Sequence, residues 1–534
     1  MSKLLAAVAL VLSVSVSVAA QGPAAAEWHI AAQVRGAPGA RAKSEKPPSL
    51  AELRDELSAP KPESRKAAVR KLSELGTREA YAAMLAALAD PEGIVADEAQ
   101  LRAAGARDAK QIVELHGQLG LRSREDGVAA RAAEALGRAS IPLDSSAFER
   151  ALKSADPETA RMLCWSVERL AQARRLTGDL ADLAAEMDDY ADGRGAPEAR
   201  GAALLALRFL DTRAAEARTN AFATAREPAL RCAALLAARD WTEIAATQFG
   251  VRLAADPDAG VRAGAIELLA RTSGRDAALA LVDRMEREDR SRLRWRILQS
   301  LRAMSGSDHG FDAETWRTWA RERSGAVATG DPRGGGPVGD TGVALAGLPL
   351  TSDRVAFLID LSGSMWGSKV AGLTRKEIVD AQLAMALTAL PKVARFNVIP
   401  YTSTAFPWEK RLVPAEPAQV RRAIEDFERC RRSGRGNVWA GIEAALADPD
   451  LDAVVVLTDG VPTGGPHGDF ELMVALLLER NRFRNVAFDS ILVDAPRGKI
   501  AGWAGLASAS GGRSTTAELA VLAGSGGERP PGAR

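Results

Sequence analysis

The residues best equipped for chemistry in this chain are Asp360, Ser362 and Ser364, one carboxylate and two hydroxyls at alternate positions directly after the apolar run Val355 to Ile359. A second apolar run, Ala453 to Leu457, ends in Thr458-Asp459-Gly460. If the two runs are strands of one parallel sheet, Asp360 and Asp459 meet at a single sheet edge. Hard oxygen ligands of this kind suit one small divalent cation, magnesium or manganese. Such an ion takes a few carboxylate and hydroxyl oxygens, keeps some water, and leaves a position for an incoming oxygen such as a partner's acidic side chain.

This pattern resembles the von Willebrand factor A domain, whose metal-ion-dependent adhesion site joins a D-x-S-x-S motif to a threonine in a later loop and a further aspartate. Asp360, Ser362, Ser364 and Asp459 match four of those five positions. At the fifth, Ser433-Gly434-Arg435-Gly436-Asn437-Val438-Trp439 resembles the family's glycine-rich loop but places Gly436 where the threonine belongs. Loss of that hydroxyl weakens or re-poses the ion, with water, Ser433 or Asn437 as substitutes. The alternative is an empty site that serves only as a sheet-end turn with polar caps. Trp366, Arg435 and Trp439 border the loops and could contact a partner, or the two rings could pack beneath their own loops. Arg429, Arg431, Arg432 and Arg435 either steer a carboxylate toward the site or form a solvated basic face.

The elements that must position these groups read as a doubly wound α/β domain over about residues 354–520. Strand-like runs at 355–361, 396–401, 453–457 and 486–493 alternate with helical stretches at 374–390, 417–430, 441–446 and 470–482. The chain offers no H-E-x-x-H helix, G-x-S-x-G elbow or P-loop, so the expectation is a binding protein and not an enzyme.

Ahead of this lies a different composition. Residues 49–323 are rich in Ala, Leu, Arg and Glu, and a motif recurs at Asp156-Pro157, Ala196-Pro197, Glu227-Pro228 and Asp256-Pro257, followed each time by an arginine and an apolar helix. The intervals of 40, 31 and 29 residues between these prolines suit helix pairs. They resemble HEAT-type repeats, which stack into a solenoid because no pair alone buries its apolar face; an irregular helical bundle fits the same periodicity. Glu63 to Ala89 reads as a further copy and Asp90 to Arg124 as an insertion. Trp316 and Trp319 read as a cap on the open end.

The expected architecture is therefore multidomain: a signal peptide at 1–20, a disordered stretch at 21–48, an all-α HEAT-like solenoid at 49–323, a glycine-rich linker at 324–350, an α/β domain of von Willebrand A type at 351–520, and a disordered tail at 521–534. Lys3 followed by the apolar run Leu4 to Ala20 predicts export, to the periplasm, cell envelope or outside, with membrane contact only if that segment stays uncleaved. Seventy basic residues against 69 acidic ones give a net charge of +1, which argues against a nucleic-acid binder. Cys164, Cys232 and Cys430 lie far apart, as buried thiols and not a disulfide framework. Together these features predict an exported adhesion or scaffold protein that engages a protein partner through one Mg2+ or Mn2+ ion, with the helical surface making a second contact and the linker letting the two halves reorient. The alternative is a metal-independent scaffold or assembly factor of the cell envelope.

Overall fold

The computed structural model describes residues 48–322 except 194 and 273, and 343–525 except 368, 371 and 461. The expected signal peptide, the stretch that follows it up to residue 47, the linker up to residue 342 and the last nine residues lie outside the described residues.

In the helical half, eight helices form one row: α1 (Pro62–Leu75), α2 (Gly93–Ala103), α3 (Val128–Gly137), α4 (Pro157–Gln172), α5 (Pro197–Leu207), α6 (Pro228–Ala237), α7 (Ala259–Thr272) and α8 (Ser291–Ser305). Each packs against the one before and the one after it, while intervening helices cover the row from outside. Proline occupies the first turn of α1, α4, α5 and α6, where no intrahelical N–H partner is lost. The span read as an insertion supplies an ordinary pair, α2 and Ala109–Leu115; Asp90-Pro91 opens it as Asp256-Pro257 opens α7, but Ala96 stands where the other copies carry their arginine, which hid the register. At three positions the recurring arginine joins one unit to the next. Arg231 forks onto Asp256 at 2.7 and 2.8 Å while its other Nη donates to the carbonyls of Ala225 and Arg226. Arg65 does the same with Asp90, and Arg262 with Glu288. Such planar bidentate pairs hold direction as well as charge. Trp316 is fully buried, edge-on to Trp319, and donates its indole N–H to the Gly310 carbonyl at 2.8 Å, so the pair serves packing.

The second half is built on a six-stranded sheet: β1 (Arg354–Asp360), β2 (Arg395–Tyr401), β3 (Val413–Pro414), β4 (Ala453–Thr458), β5 (Ala487–Val493) and β6 (Ser514–Ala517). Their order across the sheet is β6-β5-β4-β1-β2-β3, all parallel except the edge strand β3, which runs antiparallel to β2. Strand alternation sends Ala356, Leu358, Val454 and Val456 to one face and Val355, Phe357, Val455 and Leu457 to the other. Helices α9 (Arg375–Ala389), α10 (Pro417–Arg429) and α14 (Leu519–Ser525) cover the second face. Helices α11 (Val438–Leu446), α12 (Phe470–Asn481) and α13 (Arg497–Ser510) cover the first.

Two boundaries differ from expectation. Residues 343–350, inside the expected linker, form a small hairpin whose Val343, Leu345, Leu348 and Leu350 enter the core of the sheet half. Residues 519–525, expected to belong largely to the tail, form α14 with Leu519 and Leu522 buried. All three cysteines are unpaired; Cys164 and Cys232 are buried, and Cys430 is half-buried. Burial pushes the Cys164 thiol up to about 12.

The larger correction concerns the relation of the halves. The expected reorientation is contradicted, because the first face of the sheet half shares one continuous core with the helical row. From Leu472 to Leu478 helix α12 is apolar all round (Leu472, Met473, Val474, Leu476 and Leu477 are buried), as a helix covered on both sides must be. Small residues of the row admit the turn that follows it: a Cβ on Gly201 would meet the Phe483 ring at 2.9 Å, and one on Gly260 the Arg484 carbonyl at 2.5 Å. Charges close the seam. Arg161 pairs with the buried Glu479, Arg482 with Glu168 at 2.7 Å, and Arg290 with Asp450 at 2.5 Å. Arg292, fully buried and lowered to about 10 by desolvation, donates to the Thr351 hydroxyl at 2.8 Å. The row surface expected to make a second partner contact is, from α2 to α8, occupied by the chain's own sheet half.

Candidate functional site

The register of the sheet brings the predicted groups together. Ile359 of β1 lies opposite Leu457 of β4, and Asp360 opposite Tyr401 of β2, so Asp360 and the Thr458-Asp459 pair emerge side by side from the same edge. The chain winds from β1 outward to β3, then crosses to β4 and winds the other way. The crevice between β1 and β4 is thus the topological switch point, where open α/β sheets bind ligands.

Asp360 is 4 % exposed. Its Oδ1 accepts the Ser362 amide at 2.8 Å and its Oδ2 accepts the Thr458 hydroxyl at 2.9 Å. Burial nevertheless raises its pKa above the usual carboxylate value, with the Asp459 charge adding to the rise. Beneath it Tyr401 is fully enclosed, and burial with the Asp360 charge holds the phenol protonated far above its ordinary range. The Ser362 and Ser364 hydroxyls approach to 3.1 Å, and Ser364 is exposed, so the site opens to solvent on that side. Asp459 reaches the same edge, but its Oδ2 accepts Arg375 Nη1 at 2.7 Å, from the first turn of α9. Nothing in the residue pattern around Arg375 singles it out.

The glycine-rich loop lies over this edge, with the Gly363 amide donating to the Gly434 carbonyl at 3.2 Å. Of the two side chains expected to substitute for the missing threonine, Asn437 is engaged elsewhere. Asn437 caps α11, its Oδ1 accepting the Ala440 amide at 3.2 Å and its Nδ2 donating to the Ser403 carbonyl at 3.0 Å. Ser433 is exposed and has no described contact with Asp360. Gly436 is buried, and a Cβ built on it would lie 3.6 and 3.7 Å from the two Asp360 oxygens and 3.5 Å from Oγ1 of Thr463. Thr463 is a residue the sequence reading missed. Its one available signal was a hydroxyl in Pro462-Thr463-Gly464-Gly465, only four positions after Asp459.

The proposed partner contacts are largely engaged within the chain. Trp439 is 9 % exposed and stands edge-on to His467 at 4.4 Å, so it packs under the loop and is not presented to a partner. Trp366 is half-buried against the second-face core, its indole N–H directed at the Leu361 carbonyl at 3.4 Å. Arg435 is half-exposed but donates to Glu92 of the helical half at 2.7 Å and to the Thr463 carbonyl at 2.6 Å.

The loop after β4 is gripped from the helical half. Asp97 of α2 has no exposed surface. It accepts the backbone amides of Gly468 and Asp469 at 2.7 and 2.8 Å, stands 3.2 Å from His467 Nδ1, and takes Arg131 Nη1 at 2.6 Å. From the sheet side, Trp503 donates to the Gly460 carbonyl at 3.0 Å. Gly460 on one side, and Gly468 and Asp469 on the other, are therefore tied down.

No family model matches the chain. Curated proteins similar to it include mouse inter alpha-trypsin inhibitor, heavy chain 4, 31% identical over 130 residues, and human inter-alpha-trypsin inhibitor heavy chain H2, 30% identical over 124 residues. These matches take in 22% and 21% of this chain but 13% and 12% of the relatives. A von Willebrand factor A-type fold is what they support. Among solved structures, a von Willebrand factor type A protein from Catenulispora acidiphila is 19% identical, covering 33% of this chain and 42% of its own, with a TM-score of 0.28. The complex of CpcE and CpcF of phycocyanin lyase from Nostoc sp. PCC7120 is 18% identical over 53% of this chain and 99% of its own, with a TM-score of 0.26.

Proposed function

We propose that the chain is an exported protein-binding protein whose sheet half presents a divalent cation, magnesium or manganese, to an acidic group of a partner. One observation carries this reading: Asp360, Ser362 and Ser364 converge at the β1–β4 switch point, with a buried carboxylate at the base and an exposed serine at the mouth. The donors fit a hard cation, being carboxylate and hydroxyl oxygens only. Bound there, the ion would supply a positive centre able to accept one more oxygen from outside. Asp360, Ser362 and Ser364 hold that position, Tyr401 and Thr458 orient the Asp360 carboxylate from below, and Asp459 balances charge from β4.

The similarity to inter-alpha-trypsin inhibitor heavy chains favours interaction over catalysis, and the reading is of a binding protein and not an enzyme. The stacked row supports a HEAT-type description of the helical half. That half acts here as a cradle fixing the loops around the site, and the Leu4 to Ala20 run supports export. Calorimetric titration of Mg2+, Mn2+ and Ca2+ into the full chain tests the metal, with Asp360→Ala as control: saturable heat absent from the variant supports the reading, and equal heats oppose it. The second reading, a metal-independent scaffold, is favoured by one feature: the Arg375 guanidinium already places a positive charge 2.7 Å from Asp459. A silent titration of the wild-type chain would select it.

A further inference from the structure

We infer that Thr463, from the loop after β4, supplies the hydroxyl that the glycine-rich loop lacks at Gly436, so that the site is completed by Asp360, Ser362, Ser364 and Thr463. This inference rests on the metal reading above and concerns which residue completes it.

The space argument comes first. A side chain at position 436 would begin 3.6 Å from the Asp360 carboxylate, facing the oxygens that anchor the site. Directly beside that starting point, at 3.5 Å, stands the Thr463 hydroxyl. A Cβ at 436 would make only ordinary contacts there, so a hydroxyl carried from position 436 and the one carried by Thr463 approach the same gap beside the Asp360 carboxylate.

The hydroxyl is also held in place. The Gly436 amide donates to Thr463 Oγ1 at 2.8 Å, the Thr463 amide donates back to the Gly436 carbonyl at 3.0 Å, and Arg435 Nε donates to the Thr463 carbonyl at 2.6 Å. Three hydrogen bonds thus fasten one exposed threonine to the two residues of the degenerate loop. An Oγ1 that accepts from an amide keeps a second lone pair and can turn its own hydrogen away, which is what a neutral ligand of a hard cation must do. Gly436 also lies outside the left-handed region of backbone space, where only glycine would be at ease, so conformational need does not account for its presence.

The anchoring of the loop extends the argument. Trp503 holds Gly460 and Asp97 holds Gly468 and Asp469, so Thr463 sits within a span tied at both ends. A ligand oxygen carried on a free loop would lose part of its binding energy to ordering that loop; Thr463 is tethered in advance by its bonds to Arg435 and Gly436.

The test is Mn2+ binding to the full chain, followed by calorimetry and by the electron paramagnetic resonance signal of free Mn2+. It compares wild type with Thr463→Val, Thr463→Ala, Thr463→Ser, Asp360→Ala and the double variant Gly436→Thr/Thr463→Val, with metal-free thermal unfolding as the folding control. Because Thr463 is exposed, the Val and Ala variants are expected to fold as wild type does. Expected is about a tenfold loss of affinity for Val and Ala, retention for Ser, and recovery in the double variant. Wild-type affinity in both Val and Ala, with binding lost in Asp360→Ala, would overturn the role of Thr463 and leave the metal reading standing. No binding by the wild-type chain at millimolar Mn2+ would overturn both.

Discussion

Removal of the Asp97 carboxylate tests how firmly the two halves are joined. This group lies wholly inside the protein and serves four neighbours, the Gly468 and Asp469 amides, Arg131 and His467. In Asp97→Ala two loop amides lose their acceptor, at about 1–3 kcal/mol each if water does not replace it, and Arg131 loses a charge partner. Partial rehydration of the loop lowers the sum, and about 3 kcal/mol of destabilisation is expected. Asp97→Asn keeps one carbonyl acceptor and loses the charge, for about half that cost. The pH dependence has a definite sign. Burial raises the Asp97 pKa, but the His467 hydrogen bond and the Arg131 charge outweigh it and leave the folded value below the ordinary one. Stability from Asp97 is therefore complete above about pH 4, the unfolded value, and is lost as pH falls through the lower folded value. Denaturant unfolding of both variants at pH 7 and pH 3 measures the effect, and amide exchange at Gly468 and Asp469 localises it, with protection reduced about a hundredfold in the Ala variant. A loss under 1 kcal/mol in Asp97→Ala, or unchanged exchange at those two amides, would refute the clamp.

Other consequences are equally open to measurement. Arg375→Gln frees Asp459 from its ion pair, so Mn2+ affinity should rise severalfold; the partly exposed pair is screened, which keeps the gain below about 1 kcal/mol, and weaker binding in the variant would oppose the reading. Asp452, enclosed beside Arg290 and the carboxylates of Asp353 and Asp450, is pushed up to about 7, chiefly by burial. Its contribution to stability is full below about pH 4 and fades as pH rises through 7, so Asp452→Asn should gain about 2 kcal/mol at pH 8 and little at pH 4, read from unfolding midpoints at both values. A gain independent of pH would show that Asp452 is already ionised in the folded protein at pH 4.

The part of the site carried by contiguous residues was readable from the chain. Asp360, Ser362 and Ser364 follow one strand run and Asp459 ends another, and parallel pairing is enough to join them. Thr463 was not readable, because its placement depends on a loop folding back onto Gly436 through hydrogen bonds that no periodicity encodes. Strand β6 and helix α13 were missed for a compositional reason: Ser514-Thr515-Thr516-Ala517 is polar except for its last residue, and Ile500 to Ser510 is so rich in glycine and alanine that its apolar stripe is faint. The edge strand β3 is two residues long and leaves almost no pattern.

The docking of the halves does have a signal in the sequence. Leu472 to Leu478 is apolar on every side, and such a helix needs cover on two faces. The repeat arginines were visible as a motif, while their task of forking onto the next unit became apparent only in three dimensions. Arg161 shows why: at the same motif position it pairs instead with Glu479 of the sheet half.

The most direct test of the metal-completed site is a crystal structure of the full chain grown with Mn2+, read by the anomalous signal of the ion. The account predicts one peak outside the β1–β4 edge, about 2.0–2.2 Å from oxygens of Asp360, Ser362, Ser364 and Thr463. An absence of anomalous density at that edge, in crystals whose β1–β4 loops are ordered and unblocked, would contradict it.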